Sequence, residues 1–147
     1  MWLAMLNRLK TQNRLIKFGV KVNGTCCLCD VHPENCQHLF FDCKIDRHCL
    51  LEVKNWLNWH AQTSNLPQLI RWIGKARISK FKKKVLAAAT AALVYSLWKS
   101  KIAVIWKKSL INPARIIEDI KGTLKIQIAM FMPRKVKNIN RDWVFAL

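Results

Sequence analysis

Cys26-Cys27-Leu28-Cys29, followed by His38-Leu39-Phe40-Phe41-Asp42-Cys43, is the stretch on which the fold of this chain depends. Its metal-binding residue types follow the pattern Cys26-x2-Cys29-x8-His38-x4-Cys43. Three thiolates and one imidazole at these spacings can complete the tetrahedral shell that structural zinc prefers. Four protein ligands leave no position for water or substrate, so the metal would stabilise the fold and would not activate a nucleophile. The pattern predicts one structural Zn²⁺ held by Cys26, Cys29, His38 and Cys43.

Other uses of the cysteines and histidines compete with this interpretation. Six cysteines could form disulfides, but the first ten residues lack the charged start, apolar middle and cleavage site of a secretory signal, which favours a reducing compartment. Buried free thiols are the main rival. Cys27 or Cys36 could replace a neighbouring ligand, and His48 lies close enough in sequence to compete with His38.

The charge of the chain is extreme and unevenly distributed. Its 147 residues carry a formal net charge of +18, with a pI near 10.2. Residues 26–52 hold five acidic residues against two basic ones, whereas residues 53–117 hold thirteen Lys or Arg and no Asp or Glu. Such a balance favours a polyanionic partner, with nucleic acid first and an anionic membrane surface second.

The basic residues that we expect to hold phosphates lie just after the ligand block, and the run Lys82-Lys83-Lys84 also resembles a nuclear-import signal. The predicted nucleic-acid site comprises Arg71, Lys75, Arg77, Lys80, Lys82, Lys83 and Lys84. Five tryptophans are interleaved with the basic residues at 53–117 and could stack on bases, namely Trp56, Trp59, Trp72, Trp98 and Trp106. We assign Trp56 and Trp98 to the core and leave Trp72 open.

Hydrophobic periodicity predicts a mostly α-helical protein, in which a small Cys3His module packed with short helices is followed by a basic helical tail. We expect helices at 2–9, 12–18, 44–60 and 85–98, a short apolar piece at 68–73 that Gly74 interrupts, and a helix from Pro113 whose apolar stripe ends at Phe131. A polar break at 62–67 suggests two units, a zinc-binding module at 1–61 and a basic helical region at 62–147. At about 1.5 Å per residue, segment 85–98 reaches about 21 Å, which is short of the roughly 30 Å hydrocarbon layer. We therefore interpret it as a core helix and do not expect a membrane partner.

Several of these residues together resemble a known family. Arg8-Leu9-x-Thr11-x-x-Arg14-Leu15, Gly19, the ligand block with Glu34 ahead of His38-Leu39-Phe40-Phe41-x-Cys43, and Trp56-Leu57 resemble the zinc-binding domain at the C-terminal end of plant non-LTR retrotransposon reverse transcriptases. The family's downstream helix usually carries Tyr-x-x-Trp, then an Arg-Asn pair and an aromatic residue. Here Tyr95 and Trp98 fit, Lys101 stands where Arg is expected, Ile102 replaces Asn, and Trp106 takes the aromatic place. The family domain usually starts further upstream, which favours a truncated fragment of such an element.

The resemblance implies a non-catalytic module that helps a retroelement reverse transcriptase to hold RNA or DNA. The alternative is a vestigial or protein-interaction module that binds polyanions only non-specifically. Enzymatic polymerase or RNase H chemistry needs clustered carboxylates for two metal ions, and residues 53–117 contain none. We therefore expect no enzymatic activity and a nuclear or cytoplasmic, non-secreted protein, with its oligomeric state open.

Overall fold

A computed structural model describes residues 11–19, 24–35, 37–63, 65–132 and 138–147 of the chain. The described residues form six α-helices and one short π-helix, and their only β-type pairing is an isolated bridge between Thr25 and Pro33. The mostly α-helical fold class is thereby confirmed. The helix predicted at 2–9 lies outside the described residues.

The helices follow one another in simple order along the chain. They are α1 (Gln12–Lys17), the π-helix (His38–Asp42), α2 (Lys44–Trp56), α3 (Leu66–Lys75), α4 (Lys80–Lys107), α5 (Pro113–Phe131) and α6 (Asn138–Phe145). Gly19, after α1, has φ = 77°, the left-handed conformation predicted for the residue that ends this helix. Helix α2 ends earlier than predicted, because Asn58 takes a left-handed φ of 47° and turns the chain away.

The long helix α4 is twice the length expected from its uncharged centre. Its N-cap Ser79 accepts a hydrogen bond from the Lys82 backbone N–H at 3.1 Å, so the lysine run forms the first turns of the helix. No glycine or proline interrupts residues 80–107, and the alanine-rich centre favours helix. The helix ends where Lys108 takes the left-handed conformation. With 28 residues, α4 is long and apolar enough to cross a membrane by length and composition alone.

Helix α4 nevertheless packs against other helices of the protein, most extensively against α5 and also against α3 and α2. Its inward stripe is fully or almost fully buried and includes Val85, Leu86, Ala89, Leu93 and Leu97. A third of its most apolar window is buried in this way. The interpretation of residues 85–98 as part of a core helix agrees with this packing.

Helix α5 begins as the sequence predicts. The Asn112 side chain accepts a hydrogen bond from the Arg115 backbone N–H at 3.1 Å, and Pro113 occupies the first turn. Its buried stripe comprises Ile116, Ile117, Ile120, Leu124 and Ile128. Phe131 was expected to extend this stripe, but as the last residue of the helix it is exposed.

Helix α3 extends past its expected end, and the C-terminal helix α6 packs against the rest of the protein. Helix α3 continues through Gly74 to Lys75, because its N-cap Asn65 and the apolar contacts of Leu66, Leu69 and Ile73 hold it in place despite the glycine. The C-terminal helix α6 docks onto the body of the protein: the Trp143 indole N–H donates to the Leu57 carbonyl at 3.2 Å. The Trp143 ring also lies edge-on to Phe81, with a centroid distance of 6.4 Å.

One hydrophobic core draws on both sides of the polar break at 62–67. The buried cluster includes Cys26, Leu39 and Leu50 before the break and Leu93 and Ile120 after it. The break itself contains a loop, which the buried Lys54 ammonium stabilises by donating to the carbonyls of Ala61 and Thr63. The division into units at residues 61 and 62 stays a prediction.

Candidate metal centre

The four predicted ligands meet in one place. One ligand atom from each of Cys26, Cys29, His38 and Cys43 lies within 4.8 Å of every other, and all four residues are buried. Within the part of the chain that the structure describes, this is the only such group of His, Cys, Asp or Glu side chains. The structure therefore brings together the residues that the spacing selected.

A tight turn presents Cys26 and Cys29. The Asp30 backbone N–H donates to the Cys26 carbonyl at 2.8 Å, and the Cys26 N–H donates to the His32 carbonyl at the same distance. Asp30 has φ = 54°, so the chain reverses immediately after the second ligand. These bonds close a compact knuckle in which the side chains of both cysteines point to its inside and are buried.

The π-helix presents the other two ligands. Residues five apart lie about 140° apart around an α-helix axis, so His38 and Cys43 would point in different directions. The wider π-turn instead closes an i→i+5 hydrogen bond, from the Cys43 N–H to the His38 carbonyl at 2.8 Å. The Asn35 side chain accepts from the His38 N–H at 2.7 Å and fixes the start of this turn. The His-x4-Cys spacing thus becomes a pair of ligands on one side.

Electrostatic interactions within the cluster favour a thiolate. A hydrogen bond from the Cys43 thiol lowers the pKa of Cys26, while the same bond, together with burial, raises the pKa of Cys43. The Cys29 Sγ and His38 Nε2 atoms are 3.3 Å apart. Thiolate is the form that binds metal, so Cys26 is biased towards its ligand form, whereas Cys43 has to lose its proton when the metal binds.

The donor set fits a structural Zn²⁺. A tetrahedral site with Zn–S bonds of about 2.3 Å has edges of about 3.8 Å, and ligand atoms within 4.8 Å of one another need only a small contraction to reach them. Three sulfurs and one imidazole nitrogen match the soft, four-coordinate chemistry of structural zinc. All four positions of the shell are filled by protein, and burial of the ligands limits access of water.

The spare cysteines are poor competitors. Burial, followed by the charge of Glu34, raises the pKa of Cys27 to about 12. Burial and the charge of Asp46 likewise raise the pKa of Cys49 to about 12. All the cysteines that the structure describes are free thiols, and Cys36 lies outside those residues. His48 is exposed and lines an open cleft beside Cys29 and His32, whereas His38 occupies the ligand position.

A buried carboxyl group lies next to the cluster. Asp46 is completely buried in the first turn of α2, and neither of its carboxyl oxygens has a hydrogen-bond partner among the described residues. Burial first, and the nearby Cys26 second, raise the pKa of Asp46 to about 8. The protonated carboxyl is therefore the favoured form beside a group of thiolates.

An ion pair joins the ligand loop, which comprises residues 26–43, to the long helix α4. Glu34 and Lys101 are both fully buried, and the Lys101 ammonium donates to Glu34 Oε1. The same oxygen accepts from the Gln12 backbone N–H at 2.7 Å, whereas Glu34 Oε2 has no hydrogen-bond partner in the part of the chain that the structure describes. The Lys101 ammonium also lies over the Trp98 ring, 4.6 Å from its centroid. Sequence reasoning singled out Glu34 and Lys101 as motif residues but did not pair them, because 67 positions separate them.

The predicted phosphate-binding residues lie around the junction of α3 and α4. Arg71, Lys75, Arg77, Lys80 and Lys84 are exposed. Lys82 and Lys83 are half-buried and already have partners within the protein: the Lys82 ammonium lies over the Trp143 ring at 4.7 Å, and Lys83 Nζ donates to the Gly74 carbonyl at 2.7 Å. Of the three lysines in the run, Lys84 is exposed, whereas Lys82 contacts α6 and Lys83 contacts the end of α3.

Comparison with known proteins adds one finding for the N-terminal third. Residues 1–49 match the family model described as zinc-binding in reverse transcriptase. The match contains all four ligand residues, and it confirms the resemblance to the zinc-binding domain of reverse transcriptases over this segment. No curated protein and no solved structure matches the chain.

Proposed function

We propose that this protein is a non-catalytic, zinc-stabilised module derived from the reverse transcriptase of a plant-type retroelement, and that it binds RNA or DNA through its basic helical part. The zinc module supports the fold of the helices, and the helices carry the phosphate contacts. In this proposal the protein acts in the nucleus or cytoplasm, alone or beside a reverse transcriptase.

The distribution of charge carries the proposal. Thirteen basic residues and no carboxylate lie at 53–117, while the zinc-binding segment is locally acidic. Five of the basic residues are exposed together near the end of α3 and the start of α4, namely Arg71, Lys75, Arg77, Lys80 and Lys84. A cluster of cations in a segment that contains no carboxylate attracts phosphates over the range of the Debye length.

The structure of the zinc site supports a non-catalytic role for the metal. A closed Cys3His shell stabilises folding and offers no position for substrate. In such sites metal binding and folding are coupled, so the ligand loop and the helices packed on it depend on the ion. The buried pair of Glu34 and Lys101 transmits this dependence to α4, the helix that begins with the exposed lysines.

The test is binding of fluorescently labelled RNA and DNA, single-stranded and duplex, to the zinc-loaded protein over a series of salt concentrations. The logarithm of affinity should fall with the logarithm of salt, with a slope of about 0.7 per phosphate contact for a single strand and about 0.9 for duplex DNA. Replacing Lys80 and Lys84 by Ala should lower the single-strand slope by about 1.4. The matched control is Lys125→Ala, an exposed lysine on α5 outside the basic stretch.

Three outcomes decide between the functions. A reduced slope in the double variant but not in the control supports the proposed surface. An unchanged slope contradicts it and moves the phosphate contacts elsewhere. Binding without any preference for strandedness or sequence at physiological salt favours the alternative, a vestigial module with only non-specific affinity for polyanions.

A further inference from the structure

The outer face of α4 exposes two aromatic rings that the core does not need. Tyr95 is 66% exposed and Trp106 is 78% exposed, although large aromatic side chains usually bury most of their area. Lys99 and Ile102 are also exposed and lie between them along the helix. Burial of apolar area therefore does not account for these aromatic positions.

These residues share one narrow face. At about 100° per residue, Lys84, Tyr95, Lys99, Ile102 and Trp106 fall within an arc of about 60°, on the side of α4 opposite Leu86 and Leu93. We call these five residues the outer face. From Lys84 to Trp106 it covers about 33 Å. Between Lys84 and Tyr95 the same side carries only small residues, of which Ala87 is exposed and Ala88 and Ala91 are half-buried.

We propose that the outer face is a base-stacking platform for a single strand of RNA or DNA. The inference rests on the proposed function and adds to it how the strand is bound: Lys84 and Lys99 hold phosphates while Tyr95 and Trp106 stack on bases. A groove or face that combines cations with aromatic rings is the usual means of binding single strands without reading their sequence. A stacked strand advances about 3.4 Å per nucleotide, so the face matches about ten nucleotides.

The order of charges and rings favours a nucleic acid over a lipid surface. A helix that lies in a membrane interface buries a continuous apolar face and keeps its lysines on the other side. On α4, Lys99 lies in the same arc as Tyr95 and Trp106, so this arc is not a continuous apolar face. A single strand alternates anionic phosphates with flat bases and thus matches an alternation of cations and rings.

The outer face is also continuous with the basic surface proposed above. Lys84 belongs to both, and no acidic residue lies between Val53 and Ile117. Lys107 and Lys108, both exposed, follow Trp106 at the C-terminal end of the helix. A strand that leaves the junction of α3 and α4 can therefore follow α4 with cations at both ends of its path.

The experiment measures binding of a mixed-sequence oligonucleotide of about ten nucleotides, as single-stranded RNA, single-stranded DNA and duplex, to the zinc-loaded full chain. The variants are Tyr95→Ala, Trp106→Ala, the conservative Trp106→Phe, and Lys99→Ala. Phe145→Ala is the matched control, since Phe145 is an equally exposed aromatic residue on α6. Circular dichroism and thermal unfolding check that each variant is folded.

Stacking and ionic contacts give different readouts. Trp106→Ala and Tyr95→Ala should each weaken single-strand binding by about fivefold or more, with the salt slope unchanged and duplex binding little affected. Trp106→Phe should retain most of the affinity. Lys99→Ala should instead lower the single-strand slope by about 0.7. The fluorescence of Trp106, measured as the difference between the wild-type protein and Trp106→Phe, should be quenched by the single strand.

The outcomes that would overturn the inference are separate from those that would overturn the proposed function. If Tyr95→Ala and Trp106→Ala bind single strands as the wild type does while the variant of Lys80 and Lys84 does not, the platform is wrong and the basic surface stands. If the wild type binds no nucleic acid, the stacking platform and the proposed function are both wrong. If the aromatic variants lose binding only to phosphatidylserine-containing vesicles, the face docks on lipid and the platform is wrong.

Discussion

Replacing Lys101 by Met should destabilise the whole protein, because it leaves the Glu34 carboxylate buried without its cation. In the wild type, Glu34 Oε1 accepts from Lys101 and from the Gln12 N–H, and none of the described residues donates to Oε2. After the substitution a single N–H would remain to compensate a fully buried negative charge. Breaking a buried ion pair in this way costs about 3–5 kcal/mol. Domains have a total stability of about 5–15 kcal/mol, so the loss is a large part of the whole.

The assay is urea unfolding of the zinc-loaded protein, followed by tryptophan fluorescence and circular dichroism. With an m value of about 2 kcal/mol per molar, the expected loss moves the midpoint by about 2 M. Lys99→Met is the matched control, because Lys99 is an exposed lysine on the same helix and its replacement should change stability by no more than about 0.5 kcal/mol.

A double-mutant cycle isolates the pair. Glu34→Gln combined with Lys101→Met removes both charges, so it should cost less than the sum of the single substitutions by at least about 1 kcal/mol. Competition with a chelator should show faster zinc loss from Lys101→Met than from the control, since Glu34 belongs to the ligand loop. Equal stability of Lys101→Met and Lys99→Met, or strict additivity in the cycle, would refute the reasoning.

Three further predictions concern the metal centre and its surroundings. Cys29→Ser should lose zinc and unfold the ligand loop with the helices packed on it, because metal binding and folding are coupled; unchanged metal content by elemental analysis and an unchanged melting temperature would contradict this. Asp46 has a folded-state pKa raised to about 8, so the folded protein binds an extra proton and the free energy of unfolding should fall as pH rises from about 4 to about 8. Asp46→Asn should remove this loss, so at fixed zinc the unfolding free energy of the variant should exceed that of the wild type by an amount that grows over this pH range. A difference that stays constant with pH would contradict the prediction. Lys82→Ala should weaken the docking of α6 by about 0.5–1 kcal/mol through loss of the contact with Trp143, whereas Lys84→Ala should leave stability unchanged and lower only the salt slope of binding; similar melting curves for the two variants would contradict the distinction.

Local patterns predicted the local structure of this protein. The spacing of Cys26, Cys29, His38 and Cys43 identified the metal centre, because ligand spacing is set by turns that a few residues determine. Asn112-Pro113 identified the start of α5 for the same reason: a cap and a proline act within one turn. The buried stripe of α5 followed from its three- and four-residue periodicity.

Features that depend on distant parts of the chain were not predictable in this way. The pairing of Glu34 with Lys101 requires knowledge of how the ligand loop lies on α4, and Lys101 by itself looks like any other lysine of a basic helix. Lys82 and Lys83 were predicted to hold phosphates, but α6 and the end of α3 supply partners for them within the protein. Periodicity also failed at the end of α5, where Phe131 continues the apolar pattern but is exposed.

The π-turn at His38–Asp42 gives the number of residues between the last two ligands a structural meaning. Deleting one of the four would place the histidine and cysteine four apart, a spacing that an ordinary α-helical turn accommodates, and adding one would rotate the thiol away from the metal. The interval thus encodes a helix type as well as a distance. Length changes within this interval should therefore be far less tolerated than changes of side chain, and a designer who grafts the centre onto another scaffold must transfer the backbone turn together with the ligands.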